Sequence, residues 1–348
     1  MNDYYKLIRP DFTHNGYVYK KGLNVLSEPF NPNTRNGGFY FSELIDLFNW
    51  LPEYSDITPH MMIARVGLPE NTKIIELYKC LKSDKIILES IQSLHDFFDT
   101  YPILRSIAFK SDPLVLQYFK EQSLEQCMDA IKRNYMALQY IKNQTEELCK
   151  IAVKTNGLAL QYVSDQTEEL CKIAVKSNGM ALRYVKTQTP EICLLAVQTY
   201  ASAVQYVINQ TAELCKEAIK RNSYVIEYVR NQTEELCILA VYLNSNAIEY
   251  IKKPTYQIYL KAIKSNGLIL KFIKDTEDYY LNLAMYAVKQ NGMVLKFIKN
   301  QTLDICTIAV EQNGMALQYV NDQTNNMCII AVKQNGMALQ YVNDQTER

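Results

Sequence analysis

Nine cysteines and three histidines are the residues of this chain best suited to chemistry, and their spacing decides what is open to them. A thiolate nucleophile needs a base beside it, and a metal site needs several ligands that converge. His14, His60 and His95 stand apart from one another, and no repeat contains a histidine. Eight of the cysteines, Cys127, Cys149, Cys171, Cys193, Cys215, Cys237, Cys306 and Cys328, occupy a single position of an internal repeat, and only Cys80 lies outside it. Stacked helices lie about 8 to 10 Å apart, too far for a disulfide, which needs Cα atoms within about 7 Å. The repeated thiols therefore read as small buried residues in a reducing compartment. No strand, Gly-rich loop and Lys run in the order that cradles a phosphate. The sequence names no catalytic residue, no metal site and no cofactor, and the expected class is not an enzyme.

Repeated cations offer a second kind of chemistry. Lys110, Lys132, Lys154, Lys176, Lys220, Lys264, Lys289 and Lys333 form one row, and Lys120, Lys142, Lys186, Arg230, Lys252, Lys274 and Lys299 form another. Such rows can track a phosphate backbone. Lysine near a helix C-terminus also complements the helix dipole, and Glu pairs in the same units offset the charge, so nucleic acid ranks below a protein partner. A variable position is more telling: Gln117, Gln139, Gln161, Arg183, Gln205, Glu227, Glu249, Lys271, Lys296, Gln318 and Gln340 follow one another while the columns beside them hold. Freedom next to fixed neighbours marks a solvent-facing stripe. Its candidate partner-binding residues are Arg183, Gln205, Glu227, Glu249, Lys271 and Lys296.

What must position these groups is a repeat of 22 residues: QTEELCKIAVKTNGLALQYV, Gln144 to Val163, returns as QTEELCKIAVKSNGMALRYV from Gln166 to Val185. A fixed period of this kind is the mark of stacked units that bury their apolar faces against neighbours. The Asn column, from Asp112 to Asn335, counts eleven units at that spacing, apart from one step of 25 between Asn266 and Asn291. Threonines such as Thr145, Thr167 and Thr233 predict helix N-caps, and Pro190 after Thr189 stands where a first helical turn tolerates proline. Asn156-Gly157 predicts a left-handed C-cap, and Leu158 to Ser164 a second helix of about two turns. Leu158, Leu160 and Tyr162 also alternate, so a β-solenoid competes for that half of the unit. An unbroken Ala column from Ala108 to Ala331 predicts close helix approach, and the aromatic column from Tyr118 to Tyr341 predicts ring packing. The Gln column, Gln144 onward, predicts amides bonded to the backbone of the adjacent turn.

Composition sets the outer bounds. Lys plus Arg and Asp plus Glu both total 37, so no global charge recruits nucleic acid or an anionic membrane. No apolar run approaches the roughly 20 residues that span a bilayer. MNDYYKLIRPDF lacks the apolar centre of a signal peptide, which predicts an intracellular protein that is not secreted. Residues 1–70 read as a small α+β head, with strands at Tyr17 to Lys20, Phe39 to Phe41 and Ile63 to Leu68 and a helix from Ser42 to Trp50 capped by Ser42. Residues 71–99 read as a helical cap or linker, and 100–348 as the repeats. The expected fold is mainly α: an α-solenoid of about eleven helix-turn-helix repeats behind that head.

The units AVKQNGMALQYV (Ala331 to Val342) and AVKSNGMALRYV (Ala174 to Val185) resemble the short helical repeats of a domain family of unknown function abundant in giant DNA viruses of the Mimivirus type. GYVYKKGLNVLSEPFNPNTRNGGFYF and ARVGLPENTKI likewise resemble the N-terminal module those viruses place before repeat arrays. The resemblance implies architecture, viral provenance and a place in host cytoplasm or virion, and carries over no site residues. Tyr200 for Asn, Tyr259 for Cys and the stretch near Tyr279 depart from the pattern. The functional expectation is a protein-interaction scaffold. The alternative is a viral adaptor joining a target to a host assembly such as a ubiquitin ligase, and nucleic-acid binding through the Lys rows comes third. Because Gln345 and Thr346 begin another copy of the repeat, self-association through the C-terminal repeat is also expected.

Overall fold

Alternating apolar residues at the N-terminus build strands. In the computed structural model, which describes residues 3–14, 16–31, 33, 37–48, 60–275 and 278–343, Tyr4–Ile8 (β1), Gly22–Val25 (β4), Phe39–Glu43 (β5), Met62–Gly67 (β6), Ile74–Leu77 (β7), Cys80–Ser83 (β8) and Lys85–Ser93 (β9) form one sheet. Its order is β4-β9-β6-β1-β5-β8-β7, with antiparallel pairing throughout. Thr13–His14 (β2) and Tyr17–Val18 (β3) pair separately. Ile8, Phe39, Phe41, Ala64, Val66, Ile86 and Leu88 make the core on one side of the sheet, closed by Tyr19. Leu94–Thr100 (α2) packs on β6 and β9.

The expected helical cap at 71–99 is thus replaced by strands as far as Ser93. The helical spacing of Ile74, Ile75, Tyr78 and Leu81 is incidental, because the chain turns at Asn71 (φ 57°) and again at Lys79 (φ 59°), where it folds β7 back on β8 as a hairpin. Only α2 remains of the cap, started by Ser93, whose Oγ accepts from the Asp96 N–H. The helix expected from Ser42 is shorter as well. Leu44–Leu47 (α1) begins after Glu43, while Ser42 stays in β5 at 2% exposure. Residues 49–59, where that helix was expected to end, lie outside the described residues.

The chain divides into two compact bodies, Met1–Ile173 and Ala174–Arg348. The first holds the sheet and the opening repeats, beginning with Pro102–Ser111 (α3) and the 3₁₀ helix Pro113–Tyr118. There α2 lies against α3 and against Pro113–Tyr118, with the Phe98 ring 6.0 Å from Phe119. The second body is built from repeats alone. A unit in either body pairs a ten-residue α-helix, such as Glu146–Thr155 or Pro190–Thr199, with a six-residue 3₁₀ helix, such as Gly157–Tyr162 or Ala201–Tyr206. Threonine hydroxyls cap the α-helices as expected: Thr189 accepts from Ile192 and Thr211 from Leu214, each at 3.3 Å. The described residues from 102 onward contain no strand, which removes the β-solenoid.

The second half of the unit differs from expectation in two linked ways. It is a 3₁₀ helix, and Asn156 begins it instead of ending the α-helix in a left-handed turn. Asn156 is extended (φ −153°), and its side chain accepts from Leu158 N–H at 3.0 Å. Asparagine is well suited to this capping role. Period three then puts Gly157, Leu160 and Val163 on one buried face, with Ala159 beside them. Where Tyr200 replaces Asn the backbone holds the same conformation (φ −149°), and only the side-chain cap is missing.

Candidate interaction stripe

The repeated polar residues are engaged in holding units together. Gln144 shows the pattern: its Nε2 donates to the carbonyls of Leu138 (3.0 Å) and Tyr162 (2.9 Å), and its Oε1 accepts from Ser164 N–H at 3.1 Å. Gln210 does the same with Val204, Tyr228 and Arg230. One amide therefore ties the ends of two 3₁₀ helices to each other, and the expected bond to the adjacent turn is present. Every repeat cysteine lies five residues after such a glutamine. Cys193 Sγ donates to Gln188 Oε1 at 3.6 Å and Cys306 Sγ to Gln301 Oε1 at 3.4 Å. Where Tyr259 stands for Cys, Pro254 stands for Gln, so both members of the pair change together. The irregular unit substitutes differently. With Tyr279 at the Gln position, the neighbouring Tyr280 hydroxyl donates to the Phe297 carbonyl at 3.4 Å.

These thiols are poor nucleophiles. Burial pushes them up, Cys237 to about 11, which leaves them protonated at neutral pH. Among the described residues no group of three or more His, Cys, Asp or Glu is placed to hold a metal ion. Among them, too, no helix is long and apolar enough to cross a membrane.

Four members of the second cation row have named partners. Lys142 Nζ donates to the carbonyls of Phe119 (3.1 Å) and Lys120 (2.8 Å), and Arg230 Nη1 to that of Ile208 (2.7 Å). Lys120 pairs with Asp99 at 3.1 Å and Lys299 with Asp275 at 3.8 Å. The first row lies exposed in the last turn of the α-helices, where the helix dipole favours positive charge.

Of the six stripe residues, Arg183, Glu227, Glu249, Lys271 and Lys296 are exposed, and Gln205 is half-buried. Gln205 Nε2 donates to the Ser202 carbonyl at 3.0 Å and closes its own 3₁₀ helix. Gln139, Gln161 and Gln318 make the equivalent bond. The charged members use the neighbouring ring. Arg183 lies 4.5 Å over Tyr184, Lys271 4.6 Å over Phe272 and Lys296 4.8 Å over Phe297. Glu227 acts on Tyr228 instead, and its charge holds that phenol above its usual range. Aromatic rings thus serve as platforms for the variable charges as well as packing elements. Lys271 also lines a cleft of about 340 Å³ with Lys274, Asp275, Phe297 and Lys299.

Sequence reasoning missed one cluster, in the head. Lys6 is 2% exposed, its Nζ donates to the Tyr40 carbonyl at 2.8 Å and lies 3.2 Å from His14 Nδ1, and it sits 4.8 Å over the Tyr19 ring. Burial pushes the ammonium down to about 7 and, with Lys6 beside it, pushes His14 to about 3. Lys82 is fully buried, with Nζ donating to the Asn31 carbonyl and 5.4 Å over the Tyr40 ring. The available signal was positional: Lys6 alternates with Tyr5 and Leu7 and so shares the sheet face of Ile8.

No curated protein and no solved structure matches the chain. A family model does so four times, at residues 123–167, 145–189, 280–324 and 302–345, the overlapping matches being offset by one repeat. Over those residues the chain is similar to the domain of unknown function DUF4116.

Proposed function

We propose that the chain is a non-enzymatic interaction scaffold whose repeats stack as an α-solenoid and present the stripe to a protein partner. One observation carries the reading. At a single exposed position the charge runs from Arg183 through Glu227 and Glu249 to Lys271 and Lys296, beside leucines or isoleucines that are 0 to 3% exposed. A rigid backbone with a varying charge sequence is suited to reading an extended partner surface. The engagement of Lys142 and Arg230 with carbonyls supports a protein over a nucleic acid. The head has a core of its own, which supports the adaptor form of this reading, with the head docking a host assembly such as a ubiquitin ligase. Similarity to repeat arrays of giant DNA viruses supports a viral origin.

The test is affinity capture from one cell lysate with the wild-type chain and with the R183E/K271E/K296E variant, quantified by mass spectrometry. A control variant carries E146A and E168A, away from the stripe. Partners lost from the stripe variant but kept by the control are the expected result. An identical captured set for all three sinks the reading.

A further inference from the structure

Where a unit of the second body carries the column glutamine, that side chain bridges the ends of two successive 3₁₀ helices. Gln210 Nε2 donates to the carbonyls of Val204 and Tyr228, and its Oε1 accepts from Arg230 N–H at 2.9 Å. Gln232 repeats the set with Ile226, Tyr250 and Lys252. In the irregular unit Tyr279 stands at the glutamine position, and the same columns supply the Leu270 carbonyl, the Phe297 carbonyl and the Lys299 N–H.

The cleft of about 340 Å³ lies at this place, lined by Leu270, Phe297 and Lys299 together with Lys271, Lys274 and Tyr280. Tyr280, 3% exposed, takes over one of the three glutamine bonds, its hydroxyl donating to the Phe297 carbonyl at 3.4 Å. Burial, with Asp275 nearby, holds that phenol above its usual range, so it stays a donor and adds no negative charge. Among the described residues no acceptor replaces the glutamine Oε1 for the Lys299 N–H.

Charge points the same way. Three lysines line the cleft beside one carboxylate, Asp275, which leaves two positive charges in excess. Asp275 pairs with Lys299 at 3.8 Å, and the lysine side chain is 83% exposed, so the pair is loose and open to a competing anion. Lys142 and Arg230 of the same row are held by carbonyls of the preceding unit. Among the described residues no such bond holds Lys274 or Lys299.

We infer that this cleft receives a glutamate side chain from an acidic segment of the protein partner, an inference that rests on the scaffold reading above. One carboxylate oxygen accepts from the Lys299 N–H, the role that Gln232 Oε1 has for Lys252. The ammonium groups of Lys274 and Lys299 meet its charge, which makes glutamate a better occupant than glutamine. Neighbouring carboxylates of the segment meet Lys271 and Lys296, the basic end of the stripe.

The experiment titrates fluorescein-labelled hexaglutamate into the full chain at about 150 mM salt, with hydrogen exchange followed over residues 292–300. Saturable binding that slows exchange in that segment is expected, about tenfold weaker for K274Q/K299Q. K220Q/K333Q removes the same charge elsewhere on the second body and should bind like the wild type. All four lysines are exposed, so both variants should melt like the wild type. Absence of saturable binding, equal weakening in the two variants, or equally tight binding of hexaglutamine would overturn the proposal. Displacement of the peptide by inorganic phosphate at equal concentration would give the cleft to a phosphate group and overturn it too. A failure here, with partners still lost from R183E/K271E/K296E in the capture experiment, removes the cleft and leaves the stripe. An identical captured set beside intact hexaglutamate binding removes the stripe alone.

Discussion

In the head, the ammonium groups of Lys6 and Lys82 lie at 2% and 0% exposure among rings and carbonyls; in the repeats, cations that bond the preceding unit, such as Lys142 and Arg230, stay exposed, and the part-buried bonds between units are made mainly by amides such as Gln144. The contrast follows from topology. Lys6 reaches Tyr40 across 34 residues of chain, in a sheet whose neighbours arrive from distant segments and enclose the side chain on every side. A repeat residue meets only partners about 20 residues away, and much of each unit's surface stays in solvent. Buried ammonium groups in this protein therefore belong to long-range architecture, and the repeats bury mainly neutral groups whose bonds recur unit after unit, with Asp112 a buried carboxyl in the first unit.

Four measurements would break or sharpen that contrast. Leu182→Ala should cost about 3 kcal/mol, since the side chain is fully buried; a denaturant titration that loses less than about 1 kcal/mol would mean that repeat cores relax far more easily than their packing implies. Lys6→Met should act in the opposite direction and stabilise the head by a few kcal/mol at and below neutral pH. The sign follows from the lowered folded pKa of about 7. Below it the amine is charged in both states and the burial cost is fully present. Between about 7 and 10.5 the unfolded state binds the extra proton, so wild-type stability rises with pH. In K6M that rise should be missing from melts recorded across this window, and an unchanged slope would remove Lys6 as its source.

Gln210→Ala should cost about 2 kcal/mol, because two carbonyls and one N–H lose their partner at once. Fluorescence-monitored unfolding at several denaturant concentrations would show it; a negligible effect would mean that water replaces the amide. The smallest effect is a gain. Tyr200→Asn restores the missing 3₁₀ cap and should stabilise the second body by roughly 0.5 to 1 kcal/mol. A melt unchanged or lowered would show that the Tyr200 ring contributes more than the cap.

The repeat was the most legible part of the chain because its signals are local. Thr189 followed by Pro190 marks a helix start whatever surrounds it, and the glutamine column was read correctly as a backbone partner from position alone. Errors arose where a local signal had two readings. Asn156-Gly157 suits a left-handed C-cap and an N-cap equally, and the extended Asn156 with its side chain accepting from Leu158 N–H takes the N-cap form. Residues 74–93 carry helical spacing as well as alternation, and the sheet partners across β9 select the strand. On the stripe, Gln205 varied like its charged neighbours and still proved to close its own helix.

The sequence by itself determined the period, the α-helix starts, the glutamine column as a backbone partner and the row in which charge is free to vary. These depend on residues within one or two units of each other, so a single chain displays them directly. Only the tertiary structure decided that Lys6 is buried beside His14 and that the second half of each unit is 3₁₀. In both cases the deciding atoms belong to another segment, and the residue's own neighbours in sequence carry no record of them.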